Sequence, residues 1–159
     1  MRNNDTAMIN TDFFVKRNKK GFAVYAGRPY KKGDVVCVME GEKKIPDDLF
    51  NVLQIGKRVY MNLKKPYVYF NHSCDPNTGM RGVATLFALK NIKKGEEITY
   101  DYSTTMWEDF RCLCGSKKCR GAVIDFFLLP TKTQEFYFKK GSLPDFINRE
   151  YKRRNRKNV

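Results

Sequence analysis

Histidine is almost missing from this chain: His72 stands alone among 159 residues. One imidazole excludes a Cys2His2 zinc finger, and with it a common base-reading module for DNA. Acidic residues are scarce too, with 17 Asp and Glu against 31 Lys and Arg, a net charge of +14. Such a surplus favours anionic partners: nucleic acid, acidic protein or a membrane surface. Apolar runs are short. Val83-Ala-Thr-Leu-Phe-Ala-Leu89 falls far below the ~18 residues of a membrane span. The polar start, Met1-Arg-Asn-Asn-Asp-Thr-Ala7, carries no apolar segment of a secretory signal. The expectation is an intracellular chain that does not engage membranes. Five cysteines, an odd count, argue in that setting against a disulfide framework. Long Ser, Gly or Pro linkers and low-complexity tracts are absent, so a single folded body is expected at about one domain's length.

What is present excludes disorder. Hydrophobic residues make up 42% and aromatics 14%, enough apolar surface to build a core. Short β-branched and aromatic runs recur between Gly, Lys and Asn, at Phe22–Tyr25, Val35–Met39, Val59–Met61, Tyr67–Phe70, Val83–Leu89 and Ile98–Tyr100. They predict short strands. A weak echo, Tyr30-Lys-Lys-Gly-Asp-Val-Val36 and Ile92-Lys-Lys-Gly-Glu-Glu-Ile98, predicts two similar turns feeding strands. Two copies fall short of the ~3 a repeat architecture needs. Toward the C-terminus, Thr131-Lys-Thr-Gln134 has capping-box spacing and Gly141 can end the helix it opens. Ser142-Leu-Pro-Asp145 predicts a second helix with Pro144 in its first turn. That helix runs into Arg149-Glu-Tyr-Lys-Arg-Arg-Asn-Arg-Lys157, which reads as a solvated end or as a binding arm. The expected fold class is mainly β, of α+β type, with short C-terminal helices.

Cys112-Leu-Cys114-Gly-Ser-Lys-Lys-Cys119 places three thiols within eight residues around a Gly-Ser turn. Thiolate–zinc bonds of ~2.3 Å in tetrahedral array let one tight segment wrap one metal. Lys117, Lys118 and Arg120 offset the negative charge of such a centre. A closed site needs a fourth ligand, and Cys37, Cys74 and His72 are the candidates.

Asn71-His-Ser-Cys-Asp-Pro-Asn77 follows the apolar run Tyr67-Val-Tyr-Phe70. Polar, turn-forming residues crowded at a strand end mark a binding loop. Gly21-Phe-Ala23 lies upstream, Ile98-Thr-Tyr-Asp-Tyr102 follows, and Cys112 to Gly121 comes last. In this order the chain, over roughly Phe14 to Ala122, resembles a SET-domain protein lysine methyltransferase with a post-SET zinc segment, in the compact form without a pre-SET region. Two departures stand out. Lys19 occupies the place of the first glycine in the family's Gly-x-Gly, and Val68 the place of an arginine before Asn-His-Ser.

The resemblance implies small curved sheets around a knot-like core, in which Asn71–Asn77 threads beneath a loop near Ile98–Tyr102. Its parts would be a leader at 1–13, the SET domain at 14–110, the post-SET zinc segment at 111–122 and a helical extension with basic tail at 123–159. S-adenosylmethionine would be contacted by backbone at Gly21, Phe22 and Ala23, by Asn71, His72 and Tyr102, and by Leu113 over the adenine. Cys74 would join Cys112, Cys114 and Cys119 on a structural zinc, leaving Cys37 an ordinary strand residue. Tyr102 would be the catalytic hydroxyl. Tyr100 would act beside it on the degree of methylation, with mono-methyl lysine the main product. The implied enzyme is a monomer that methylates an accessible lysine of a protein substrate, with nucleic acid or nucleoprotein contacted by its basic surface. Its compartment follows its target: cytoplasm, or a nucleus, including a host's, if the target is chromatin. The alternatives are a basic zinc module that binds nucleic acid without catalysis, and a SET scaffold without turnover.

Overall fold

A computed structural model describes residues 6–8, 12–44, 51–105 and 109–156. Residues 1–5 and 9–11 of the expected leader, and Lys157 of the basic end, lie outside the described residues. Five small sheets make up the β part. The first holds β1 (Thr6–Met8), β2 (Phe13–Asn18) and β3 (Gly21–Ala26), all antiparallel. Alternation drives β2: Phe13 and Val15 are buried and Lys16 is exposed, the period-2 pattern of a sheet with one wet face. Its turn into β3 closes because Asn18 Oδ1 accepts the Lys20 N–H (2.8 Å) and Gly21 adopts φ 122°, open to glycine.

The second sheet has the order β4 (Val35–Val38), β10 (Thr85–Ala88), β9 (Thr78–Arg81). The third has the order β5 (Gly41–Lys44), β7 (Val59–Leu63), β6 (Val52–Gly56). Two pairs complete the set. β8 (Asn71–His72) runs parallel to β11 (Thr99–Tyr100), and β12 (Phe110–Arg111) is antiparallel to β13 (Ala122–Val123). One main core, including Phe13, Val24, Leu53, Phe70, Met80 and Ile98, lies among the sheets. A second forms where α1 (Thr131–Lys139) and α2 (Asp145–Asn155) bury Tyr137, Ile147 and Tyr151 against Phe126.

The chain differs from the sequence expectation at three points. Tyr67–Phe70 is not a strand: Tyr67–Tyr69 forms a 3-10 turn. Pro66 precedes it in αR geometry and has no N–H to give a ladder, and Tyr69 and Phe70 donate back to Pro66 and Tyr67 carbonyls. The following Asn71–Asn77 therefore begins as a short strand, β8, and becomes a loop only from Ser73. At α1 the capping box does not form. Pro130 takes the cap with no side-chain bond, and having no N–H it leaves Gln134 nothing to reach back to. Gln134 Nε2 instead donates to the Leu129 carbonyl (2.8 Å). Gly141 does follow the helix, at φ 60°. Pro144 is the cap of α2 and sits just before its first turn, where Asp145 offsets the helix dipole.

Candidate active site and thiol cluster

The parallel pair β8–β11 is the frame of the site. Strands adjoin with Thr99 opposite Asn71 and Tyr100 opposite His72. Side chains lace the two segments further. Asn77 Nδ2 donates to the Glu97 carbonyl (2.7 Å) and Asn77 Oδ1 accepts the Thr99 N–H (2.9 Å). Thr78 Oγ1 donates to the Thr99 carbonyl (2.8 Å). Asparagine supplies both a donor and an acceptor on one short side chain, which suits it to stitch a passing backbone. The lacing brings Tyr100 and Tyr102 together, with ring centroids 4.8 Å apart.

Tyr102 donates its hydroxyl proton to the Phe70 carbonyl (2.7 Å). Burial, helped by the charge of Glu97, pushes its pKa up to about 12, so the phenol is neutral across the physiological range. Its oxygen keeps its lone pairs for an incoming donor. Tyr100 is buried, and that burial holds its phenol well above the ordinary value against the opposing hydrogen bond with Thr105. His72 Nδ1 accepts the Tyr102 N–H (3.2 Å), which leaves the ring proton on Nε2. Burial lowers the His72 pKa, with Asp101 opposing and Arg120 adding to the shift. The neutral ring thus presents Nε2–H to Cys74 Sγ at 3.2 Å.

The residues expected to hold a ligand lie on the segments around this frame. Asn71 Nδ2 donates to the Phe22 carbonyl (3.3 Å) and to Glu97 Oε1 (2.9 Å), joining β8 to β3. A Cβ at Gly21 would meet nothing within 4 Å, so its backbone is open to approach, whereas Ala23 is fully buried. Phe22 and Leu113 are apolar yet 46% and 72% exposed. Lys20 Nζ ties the β2–β3 turn to the Leu113 segment by donating to the Cys114 carbonyl (2.9 Å) and the Leu113 carbonyl (3.5 Å).

The thiols converge as well. Donor atoms of His72, Cys74, Cys112 and Cys114 all lie within 4.8 Å of one another. The Cys74 and Cys112 sulfurs are 3.6 Å apart, close to the ~3.8 Å edge of a tetrahedron with zinc–sulfur bonds of ~2.3 Å. Backbone N–H groups of Arg120, Cys114 and Gly121 approach the sulfurs of Cys74, Cys112 and Cys119, each at 3.4 Å. Burial pushes the Cys112 thiol up to about 12. At Cys114 burial also raises the pKa, but N–H groups of Cys74 and Ser116 and the adjacent thiols outweigh it and bring the value to about 7. The donor set suits a soft, tetrahedral cation.

Sequence reasoning overlooked the buried centre that joins these parts. Asp101, 2% exposed, accepts from Arg120 through both oxygens at 2.8 Å. It also accepts from the Tyr137 hydroxyl (2.6 Å) and the Ser103 N–H (3.1 Å). Burial works against the Arg120 charge, but Asp101 outweighs it and holds the guanidinium above its ordinary pKa. Only the position of Asp101 inside Tyr-Asp-Tyr signalled it, and neither Arg120 nor Tyr137 carries a local signal. Lys20 was overlooked for the same reason: its partners are 93 and 94 residues away.

Distant segments laced in parallel, a packed tyrosine pair and a thiol cluster define a small β-rich domain. A protein-family model described as SET domain matches residues 21–103, just over half of the chain, and the chain belongs to the SET-domain family. The variant-silencing SET domain-containing protein of Plasmodium falciparum is 35% identical over 138 residues, covering 68% of this chain and 5% of that protein. Histone-lysine N-methyltransferase ATX2 of Arabidopsis thaliana is 30% identical over 138 residues, 70% of this chain and 13% of that one. The chain thus spans a small fraction of these relatives' length. Among solved structures, KRYPTONITE in complex with mCHG DNA and SAH shares 26% identity at a TM-score of 0.57, over 69% of this chain and 28% of that chain. The methyltransferase domain of human SETMAR, at 22% identity and a TM-score of 0.51 over 68% of this chain and 56% of that one, shares the fold. No helix among the described residues is long and apolar enough to cross a membrane.

Proposed function

We propose that this chain transfers a methyl group from S-adenosylmethionine to the side-chain amine of a protein lysine. The observation that carries the reading is Tyr102: a half-buried tyrosine whose neutral hydroxyl commits its proton to the Phe70 carbonyl, next to Asn71 in the chain. Relatives named for histone-lysine methylation and a similar structure that holds SAH support the chemistry, and they make a histone or other chromatin protein the first substrate to test. The nucleus is then the expected compartment.

When bound, S-adenosylmethionine supplies a methyl group activated by its sulfonium. Backbone at Gly21, Phe22 and Ala23, the Asn71 and His72 segment, and Leu113 would hold it. The chain's own work is positioning. A lysine amine of ordinary pKa ~10.4 must be neutral to attack, and a dry, aromatic-lined entry lowers that value. The Tyr102 oxygen, its proton already donated, accepts an amine N–H and turns the nitrogen lone pair along one line. Alignment at ~3–3.5 Å supplies several kcal/mol of the rate enhancement. Calorimetry with S-adenosylmethionine and radiolabel transfer to basic proteins test the reading together. Absence of cofactor binding sinks it; binding without transfer to any histone favours the scaffold reading.

The thiols of Cys74, Cys112, Cys114 and Cys119 are the proposed ligands of one structural zinc. The donor atoms that gather within 4.8 Å are those of His72, Cys74, Cys112 and Cys114, and Cys119 Sγ lies 3.8 Å from the Cys112 carbonyl; the family resemblance is what favours Cys119 over His72 as the fourth ligand. Elemental analysis should find one zinc per chain. Because the cluster ties the Asn71–Asn77 loop to the Leu113 segment, chelation should weaken cofactor binding at least about 10-fold through loss of local folding. Full cofactor affinity in Cys114→Ser would refute the coupling.

Product degree should follow Tyr100. Its hydroxyl can hold a water beside the amine, and a methylated amine must displace that water without replacing its bonds, which is unfavourable. Mono-methyl lysine should dominate, and Tyr100→Phe should shift product toward di- and tri-methyl lysine at little loss of rate. Mass spectrometry at long reaction times reads the outcome; abundant tri-methyl lysine from the unmutated chain would assign the limit to other residues.

A further inference from the structure

A cavity of about 490 Å³ lies between the Cys74–Pro76 loop, Leu89 and Lys90, the post-cluster segment at Lys118 and Arg120, and α1. None of the transfer-site residues Gly21, Phe22, Asn71, Tyr100, Tyr102 and Leu113 lines it. Five cationic side chains do, Lys90, Lys118, Arg120, Lys132 and Lys140, against one acid, Asp75. Two of the cations are answered within the fold: Lys118 pairs with Asp75 at 3.2 Å and Arg120 with Asp101 at 2.8 Å. Lys90, Lys132 and Lys140 have no carboxylate within ion-pair distance among the described residues. Lys132 stands in the first turn of α1, which holds no acid, so the helix dipole adds to the positive potential there. Phe136, 46% exposed, also lines the cavity, with Lys140 Nζ 5.8 Å from its ring centroid.

We propose that this cavity docks single-stranded nucleic acid, with Lys90, Lys132 and Lys140 on the phosphodiester backbone and Phe136 as a stacking face for a base. Lysines bind phosphate as point charges. Cations interleaved with an exposed aromatic ring are the elements that grip single strands, where backbone charge and base stacking act together. An acidic peptide would use the charges and leave Phe136 without a matching flat partner. The net charge of +14 adds a long-range field that a polyanion exploits more fully than any small anion. The docking has a consequence that rests on the methyl-transfer reading. A lysine-rich acceptor and this chain repel one another at long range, and nucleic acid carried by the acceptor reverses that sign.

Fluorescence anisotropy with a labelled 12-nucleotide single strand tests the site on the full chain. The triple variant Lys90→Gln, Lys132→Gln, Lys140→Gln should bind at least about 10-fold more weakly. The slope of log affinity against log salt should fall by about 2, near 0.7 for each lost phosphate contact. Phe136→Leu should weaken binding and leave the slope unchanged. All three lysines are exposed, and an unchanged thermal melt confirms folding. S-adenosylmethionine binding and transfer to a nucleic-acid-free acceptor should match the unmutated chain. Unchanged affinity and slope in the triple variant would overturn the proposal, as would equal competition by poly-glutamate, which would mark an acidic-protein site. Loss of all transfer by the unmutated chain, with the oligonucleotide result intact, would refute the enzymatic reading and not the docking site.

Discussion

Tyr102→Phe should lower turnover about 100- to 1,000-fold, the range for removing one preorganised polar group from a transition state, while S-adenosylmethionine affinity stays within a few-fold. The hydroxyl of Tyr102, just past the end of β11, has its proton fixed on the Phe70 carbonyl that precedes β8, so its lone pairs face a direction set before substrate arrives. Charge moves from sulfur to nitrogen during transfer, and an oxygen that already holds the amine need not reorganise. Phenylalanine fills nearly the same volume, keeps the tilted ring contact with Tyr100 and removes only that oxygen. It also leaves the Phe70 carbonyl without its donor, which costs about 1–3 kcal/mol of stability; a thermal melt separates that effect from kinetics. A loss in kcat and kcat/KM together is the signature of an interaction made in the transition state. Asn71→Ala should show the reverse weighting, because Asn71 holds the Phe22 carbonyl of the proposed cofactor segment: weaker cofactor binding, smaller loss of turnover. Wild-type turnover in Tyr102→Phe would make Tyr102 a packing residue.

Asp101→Asn should destabilise the chain by about 3–5 kcal/mol, the effect of stranding a buried charge by removing its partner. For a chain of this size that lowers Tm by roughly 10 °C. The Asp101 side chain is fully buried and that of Arg120 is 18% exposed, and both Asp101 oxygens accept from the guanidinium. Asparagine keeps one acceptor and turns an amide N–H toward the donors of Arg120 or Tyr137. Nε of Arg120 already lacks a partner in its buried position, and the only other acceptor in reach of the guanidinium among the described residues is the uncharged Ser103 Oγ at 3.2 Å. Tyr137→Phe removes one hydrogen bond and leaves the ion pair, so it should cost only about 1–2 kcal/mol. The two variants distinguish an electrostatic centre from ordinary packing. A loss below about 1 kcal/mol for Asp101→Asn would show that water enters and solvates Arg120. Since Asp101 lies between Tyr100 and Tyr102, its loss should also reduce transfer, more steeply as temperature rises.

Legibility followed the range of the interactions. Strands at Phe22–Tyr25, Val35–Met39 and Val83–Leu89 were readable because β propensity and burial act over a few residues, and each overlaps an observed strand. Gly141 was readable as a helix stop because a left-handed φ favours glycine wherever it occurs. Tyr67–Phe70 misled because its aromatic and β-branched residues suit a strand, while Pro66 and the need to bury Phe70 against Phe13 settle the backbone as a turn. The strands Phe13–Asn18 and Val52–Gly56 escaped notice: charged or polar residues interrupt their apolar positions, and only pairing with neighbours holds them extended.

By itself the sequence determined which chemistry is available: phenols at 100 and 102, asparagines at 71 and 77, three clustered thiols, and cations in excess. Those are properties of side chains and of close spacing, and no fold can alter them. Tertiary structure alone decided which groups meet. It set Asp101 against Arg120 and Tyr137, Lys20 against the Leu113 and Cys114 carbonyls, and Cys74 against Cys112 across 38 positions. It also gathered Lys90, Lys132 and Lys140 around one cavity. Each of these contacts exists because burying the main core and the helical core forces segments distant in the chain into contact, and local propensity carries no record of that choice.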